Sequence, residues 1–320
     1  MKRLSIYLLA GVALFSTSCS DFLDTAPHDA LSPSTTWKTE EDAESFVVGC
    51  YNGLWDAGSL LYLDCGSDIG YNNFSWEGWR PWGDGSLSSG NPGASFYDFT
   101  IIRRGNTVLE NIDNVEFKSE ATKNDLIAQA KAIRAYKYFL LNWWYGGVPI
   151  ITEVQEPVES SVVPRSSAKD CFKFICDDLE RAETLLAPFT GAGQWMSGDN
   201  YGRVTSGTAV ALLGRVRVLY ASPLFNRSND LSRWTQAYND IKRSIDVLAA
   251  AGYGLANESN PGVNASGWAN LFTEVPSQEA VFVTLHNTLT EGVPDYSKLQ
   301  VTELSILLIL VLMTLKNYNI

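Results

Sequence analysis

Histidine is nearly missing from this chain: His28 and His286 are the only two among 320 residues. They lie far apart and neither has a metal-ligand partner at helical spacing, so nothing supports a histidine-based zinc site. Charge is scarce as well, at 19% of residues, and it leans acidic, with 36 Asp and Glu against 24 Lys and Arg for a formal net charge of −12. A surface of that sign repels phosphate backbones, and no basic cluster offsets it, which makes nucleic acid a poor partner. The usual catalytic signatures are lacking too. "GRVTSGT" at 202–208 has the glycine spacing of a phosphate loop without its lysine, and no Gly-x-Ser-x-Gly elbow occurs. Glycoside hydrolysis needs two carboxylates at a set separation, and 36 acids supply many pairs with nothing to choose among them. No catalytic residue, metal ligand or cofactor is assigned on this basis.

Only five cysteines are present. Cys171 and Cys176 do not have zinc-site spacing. Together with Cys50 and Cys65 they read as buried thiols in a core large enough to need no disulfides. Cys19 is different. It follows Met1-Lys2-Arg3, a mostly apolar stretch at 4–15, and the small residues Ser16-Thr17-Ser18. About twenty apolar residues are needed to span a bilayer, so the stretch reads as a cleaved export signal, residues 1–18. A cysteine directly after the small residues fits a bacterial lipoprotein signal in which Cys19 is acylated, although Ser16 stands where such signals prefer Leu. Each buried methylene of an acyl chain contributes roughly 0.8 kcal/mol to membrane attachment. Ordinary secretion with an incidental cysteine is the alternative.

What the chain has in plenty is apolar and aromatic surface, 45% and 12% of residues. Residues 20–36 form a turn-rich leader. Helices are expected from Thr39 through "DAESFVVGCYNGLW", from near Asp98 through "FTIIRRGNTVLENID", and over 123–145, 166–187, 206–221 and 231–251. In the 123–145 helix, Leu126, Ile133, Leu140 and Trp144 form one row, with Ala132, Tyr136, Phe139 and Trp143 beside it. Both tryptophans therefore read as core, with Lys131, Arg134 and Asn142 elsewhere on the wheel. Gly146-Gly147 and Pro149 end this helix. Ala130, Ala132, Ala135 and Leu140 recur at an offset of 79 as Ala209, Ala211, Gly214 and Leu219. Small residues repeating on one face fit closely crossing, tetratricopeptide-like helix pairs. The fold class is mostly α, an α-α superhelical scaffold with long irregular loops and a few short strands, one of them "EAVFVTLHN" at 279–287.

From 56 to about 96 the sequence turns irregular, rich in Gly, Asn, Ser and Asp, and long irregular regions in compact proteins are usually functional. Within it lies "DIGYNNFSWEGWRPWGDG", 68–85. Indole rings bind sugars by stacking on the apolar C–H face of a pyranose, while amides, carboxylates and guanidinium groups bond the hydroxyls. Trp76, Trp79 and Trp82 are the candidate rings, with Asn72, Asn73, Arg80 and Asp84 as polar partners. Pro81 and the glycines argue against a helix here, and one or two of the rings have an equal claim to pinning the loop down.

Several motifs in order resemble the SusD-like (RagB/SusD) outer-membrane lipoproteins of Bacteroidetes. They are Cys19-Ser20-Asp21 with "FLDTAP", "AESFVVGCYNGLW", "IIRRGNTVLENID", "AQAKAIRAYKYFLLNWWYGGVPIITE", "GRVTSGTAVALLGRVRVLYASPLFN" and "WTQAYNDIKRSIDVLAAAGYGL". The resemblance covers about 19–290; the SusD-like domain is placed at 37–297, with the family's N-terminal region at about 20–230 and an incomplete C-terminal part. It implies a tetratricopeptide-like helical fold, a lipid-anchored position on the cell outer membrane, and capture of a glycan for delivery to a SusC-like TonB-dependent transporter without catalysis. Only Cys19 carries over as a functional residue. A secreted carbohydrate-active enzyme, a peptide-binding lipoprotein and a non-binding structural lipoprotein are the alternatives. Residues 298–320, "KLQVTELSILLILVLMTLKNYNI" from Lys298 on, depart from the family pattern and read as a truncated or frame-shifted terminus, with a buried segment as the other reading.

Overall fold

A computed structural model describes residues 36–54, 62–155, 163–186, 202–254 and 281–282. The export signal, Cys19, the terminal segment 298–320 and all but two residues of the expected 279–287 strand lie outside them. Seven α-helices occur among the described residues: α1 Glu40–Tyr51, α2 Arg80–Asp84, α3 Thr100–Asn111, α4 Glu120–Tyr145, α5 Ala168–Leu185, α6 Ser206–Ala221 and α7 Leu231–Ala250. No strand forms there, only an isolated bridge between Ser88 and Asn91.

The helix starts follow side-chain chemistry. At α1 the Thr39 hydroxyl accepts from the Asp42 N–H while the Asp42 carboxylate accepts from the Thr39 N–H, at 3.2 and 2.9 Å. This reciprocal box satisfies two donors that a helix end leaves open, and losing such a cap costs about 1 kcal/mol. Thr205 forms a second such box at α6, while Ser119, Ser167 and Asp230 cap α4, α5 and α7 by accepting from a first-turn N–H alone. α4 ends where the Gly146 N–H bonds to the Asn142 carbonyl.

α1 and α3 pack against α4, and from there the helices stack in chain order, α4 on α5, α5 on α6 and α6 on α7. Two successive pairs result, α4/α5 and α6/α7, and the residues related by the offset of 79 occupy the first helix of each. Ala130, Ala132 and Ala135 are buried in α4, as are Ala209, Ala211 and Gly214 in α6. Their small size lets the backbones approach, and the Ser244 hydroxyl of α7 donates directly to the Val210 carbonyl of α6 at 2.8 Å. Phe172, Ile175 and Leu179 of α5 are fully buried in the main core. Burying each such side chain contributes about 1.5–3 kcal/mol.

Two expectations for α4 need correction. Arg134 and Asn142 are buried, not on an outer polar face. Arg134 is drawn in by a partner on another helix: its Nε and one terminal nitrogen donate to the Asp178 carboxylate of α5 at 2.8 and 2.9 Å. Its other terminal nitrogen donates to Asn106 Oδ1 of α3 at 2.7 Å. Lys131 adds a third contact to Asp178 at 3.0 Å. The second correction concerns the tandem tryptophans. Trp143 is 38% exposed and Trp144 half-buried, so neither fills the core.

The four cysteines within the described residues, Cys50, Cys65, Cys171 and Cys176, are unpaired and buried. Burial pushes the Cys50 thiol up to about 11 and that of Cys176 to about 12. A buried thiol that holds its proton at neutral pH is a poor nucleophile.

Candidate functional site

The tryptophan-bearing loop stands on the C-terminal end of α4, and rings hold it there. Trp79 stacks on Tyr62 with centroids 5.6 Å apart and lies 5.5 Å from Trp82 and 5.7 Å from Phe96. Phe96 in turn stacks on Trp144 at 5.0 Å, and Trp82 meets Trp144 edge-on at 5.4 Å. Beyond it Trp143 stacks on Trp144 and carries the Arg215 guanidinium 5.5 Å over its ring. Such aromatic pairs contribute about 0.5–1.5 kcal/mol each beyond their burial. Tyr145 adds a polar tie, its hydroxyl accepting from the Phe96 N–H at 2.8 Å. The close fit of the loop on itself shows at Gly93, where a Cβ would stand 2.8 Å from both the Gly78 carbonyl oxygen and Trp82 Nε1.

Contrary to the sequence reading, one helical turn does form here, α2. Pro81 lies in its first turn, where a missing N–H is not needed and a fixed φ favours the helix. This turn separates the rings. Trp79 precedes it and is only 8% exposed, packed among Tyr62, Trp82 and Phe96, with no face for a ligand. Trp82 is half-buried against Trp144. Trp76 lies outside the stack, 78% exposed and touching Phe74 at 4.9 Å. Tyr71 and Phe74 are exposed beside it in sequence.

The polar candidates divide in the same way. Asn72 is 5% exposed and fully engaged, donating to Glu77 Oε2 and accepting from the Phe74 N–H, both at 2.6 Å. It shapes the turn that presents Phe74 and Trp76 and is withdrawn from solvent. Asn73 is exposed. Arg80 and Asp84 pair across α2 at 3.6 Å while staying open to water. The Asp84 carboxyl is held below the usual range by hydrogen bonds from Ser86, then by Arg80, so it is an acceptor at neutral pH. The loop thus carries one broad exposed indole and, at other positions along it, an amide, a guanidinium and a carboxylate open to water. That combination suits stacking and hydroxyl recognition, with Trp79, Trp82, Phe96 and Trp144 as its support. Sequence reasoning missed Phe74, Phe96 and the supporting role of Trp144, because contacts between distant segments leave no local spacing to read. Among the described residues no group of His, Cys, Asp and Glu is arranged to hold a metal ion. No helix among them is long and apolar enough to cross a membrane.

Residues 21–218 match the SusD-like family model described as starch-binding and associating with the outer membrane. The SusD-like protein P25 of Formosa agariphila is 28% identical over 204 residues, which is 58% of this chain and 38% of that protein. A SusD-like protein of Bacteroides ovatus is 27% identical over 219 residues, 66% of this chain and 38% of its own length. The chain therefore spans well under half the length of the curated relatives it matches. Among solved structures, a SusD-like protein of Bacteroides fragilis superposes with a TM-score of 0.64 at 23% identity, covering 85% of this chain and 49% of that one. A structure described as a laminarin-binding SusD-like protein gives 0.60 at 22% identity, covering 78% and 52%. At these identities the solved structures establish the shared helical fold.

Proposed function

Because this chain belongs to the SusD-like family of starch-binding, outer-membrane-associated proteins, we propose that it is a cell-surface lipoprotein that binds a glycan and passes it to a SusC-like TonB-dependent transporter without chemical turnover. The observation that carries the binding reading is Trp76, an indole left 78% exposed on a loop whose other two tryptophans are committed to anchoring it. Phe74, itself exposed, lies 4.9 Å from Trp76, and adjoining exposed rings offer apolar surface that a sugar face can cover. Asn73, Arg80 and Asp84 supply hydrogen-bond donors and acceptors for sugar hydroxyls. Trp79 and Asn72 act from beneath, holding the loop in shape, and Trp82 offers at most one edge. The lipid anchor is assigned to Cys19 on the signal preceding it, and the transporter partner on the family resemblance.

The family description and the laminarin-binding neighbour choose the probes. Trp76→Ala is expected to lower affinity for whichever of soluble starch or laminarin the parent binds by about tenfold or more, the scale of a single anchoring ring, with the melting temperature unchanged. Affinity electrophoresis in gels containing each glucan measures this, and a Trp76→Ala chain retarded as strongly as the parent would remove the loop from the site. For the anchor and partner, Cys19→Ser is expected to leave the outer-membrane fraction. The parent, solubilised from that fraction in mild detergent, is expected to carry a TonB-dependent barrel. A Cys19→Ser protein that still sediments with the membrane, or a parent isolated without any barrel, would contradict the corresponding half of the proposal.

A further inference from the structure

A recess lies beside the loop's attachment, where Tyr97 follows Phe96 and meets Tyr145. Between the start of α3 and residues 148–155 opens a cleft of about 420 Å³, inside the range of roughly 300–1,000 Å³ typical of small-molecule sites. Its apolar floor is formed by Ile102, Pro149 and Ile151, and Tyr97 and Phe99 stand as an aromatic wall. Tyr97 is 51% exposed, held upright by T-shaped contacts of 5.2 Å with both Phe99 and Tyr145.

The cleft is built from fixed parts. Its 148–155 wall is neither helix nor strand, and side chains of α3 and α4 hold it at intervals. Tyr138 Oη accepts from the Ile151 N–H at 2.7 Å. The Asn106 amide donates to the carbonyls of Ile151 and Glu153 at 3.0 and 3.1 Å. Arg103 reaches the Gln155 carbonyl at 2.6 Å. On the facing wall Asp98 accepts from the Thr100 hydroxyl at 2.6 Å and pairs with Lys137 at 3.5 Å. A wall already held in place loses little freedom when a ligand arrives. Arg103, Asp98 and Glu153 line the cleft, and Lys137, outside the lining, pairs with Asp98, so charges of both signs meet there without a bias toward a charged ligand.

From the exposed aromatic wall, apolar floor and balanced hydrogen-bonding rim, we infer that this cleft is a second carbohydrate site, taking a neutral sugar unit or disaccharide independently of Trp76. Only the choice of probe rests on the glycan-binding reading. The test uses the full chain carrying Trp76→Ala, with maltose and laminaribiose observed by saturation-transfer NMR. At least one disaccharide is expected to retain its signal in Trp76→Ala. That signal is expected to fall at least fivefold when Tyr97→Ala is added, and likewise when Val163→Trp is added to fill the cleft from its rim. Thermal melts identify any variant that has lost its fold, and the filled-cleft variant gives a second route to the same answer. The inference is overturned if the Trp76→Ala chain gives no signal with either sugar. It is overturned equally if a signal persists with the cleft filled. If Trp76→Ala leaves polysaccharide binding at parental strength, the loop assignment fails while the cleft result stays readable.

Discussion

Replacing Asp178 with alanine lowers the free energy of unfolding by about 3–5 kcal/mol, the range found when one member of a buried ion pair is removed. Asp178 is the common acceptor for Arg134 and Lys131, and both Asp178 and Arg134 are almost wholly buried. Without the carboxylate the Arg134 guanidinium is left in the core with one remaining neutral hydrogen-bond partner, Asn106. The size of the loss reflects this stranded cation more than the net worth of the pair. The double substitution Arg134→Met with Asp178→Leu is therefore expected to recover most of the stability, because it removes both desolvation costs together. Urea denaturation measures it as a fall in midpoint at constant slope. The damage also travels. Asn106 receives a hydrogen bond from Arg134 and holds the Ile151 and Glu153 carbonyls, so amide exchange over 151–154 should accelerate in Asp178→Ala. A loss under about 1 kcal/mol would mean that the network behaves like a surface pair.

Gly147→Ala is expected to cost about 3 kcal/mol, at the upper end of what overpacking normally causes. A Cβ on Gly147 would overlap the Ser166 carbonyl oxygen and stand 2.8 Å from both the Ala168 nitrogen and the Ser167 carbonyl carbon. All three are backbone atoms at the entry to α5, and no rotamer change relieves them. The exit from α4 must then separate from the start of α5. That breaks the Ser166 N–H bond to the Val148 carbonyl and shifts the 148–155 segment. Gly49→Ala is the matched control, since a Cβ there meets nothing within 4 Å. In the interior of α1 that change should stabilise by roughly 0.5–1 kcal/mol. A Gly147→Ala chain that melts with the parent would show that the two segments do not meet so closely.

The scaffold was largely readable from residues alone because its signals are local. Thr39 and Ser167 mark helix starts through hydroxyls that bond a few positions ahead. Gly146, Gly147 and Pro149 mark an end, and the small residues repeated at an offset of 79 occupy the first helices of two packed pairs. The misreadings involve partners remote in sequence. The helical wheel put Arg134 on a polar face because nothing within one turn reveals Asp178 on the next helix. The same blindness made three equivalent rings of Trp76, Trp79 and Trp82, when Tyr62, Phe96 and Trp144 determine which of them is covered. Pro81 reads as a helix breaker on composition, whereas its position in the first turn makes it a helix starter. Trp143 and Trp144 fell on an apolar row, yet that row runs past the end of the core and carries the loop.

The division among the loop rings bears on how such a protein diversifies. Folding depends on Trp79, Trp82, Phe96 and Trp144, while contact with the outside falls to Trp76, Asn73 and their exposed neighbours. Substitutions at the tip are then nearly neutral for stability, as surface changes generally are. On the proposed binding role of Trp76, natural variation can retune ligand preference there without reopening the problem of how the loop is held. Drift in the supporting rings has no such latitude, because each packs against partners from separate parts of the chain. Libraries randomised at the exposed positions alone should yield many folded members with altered selectivity.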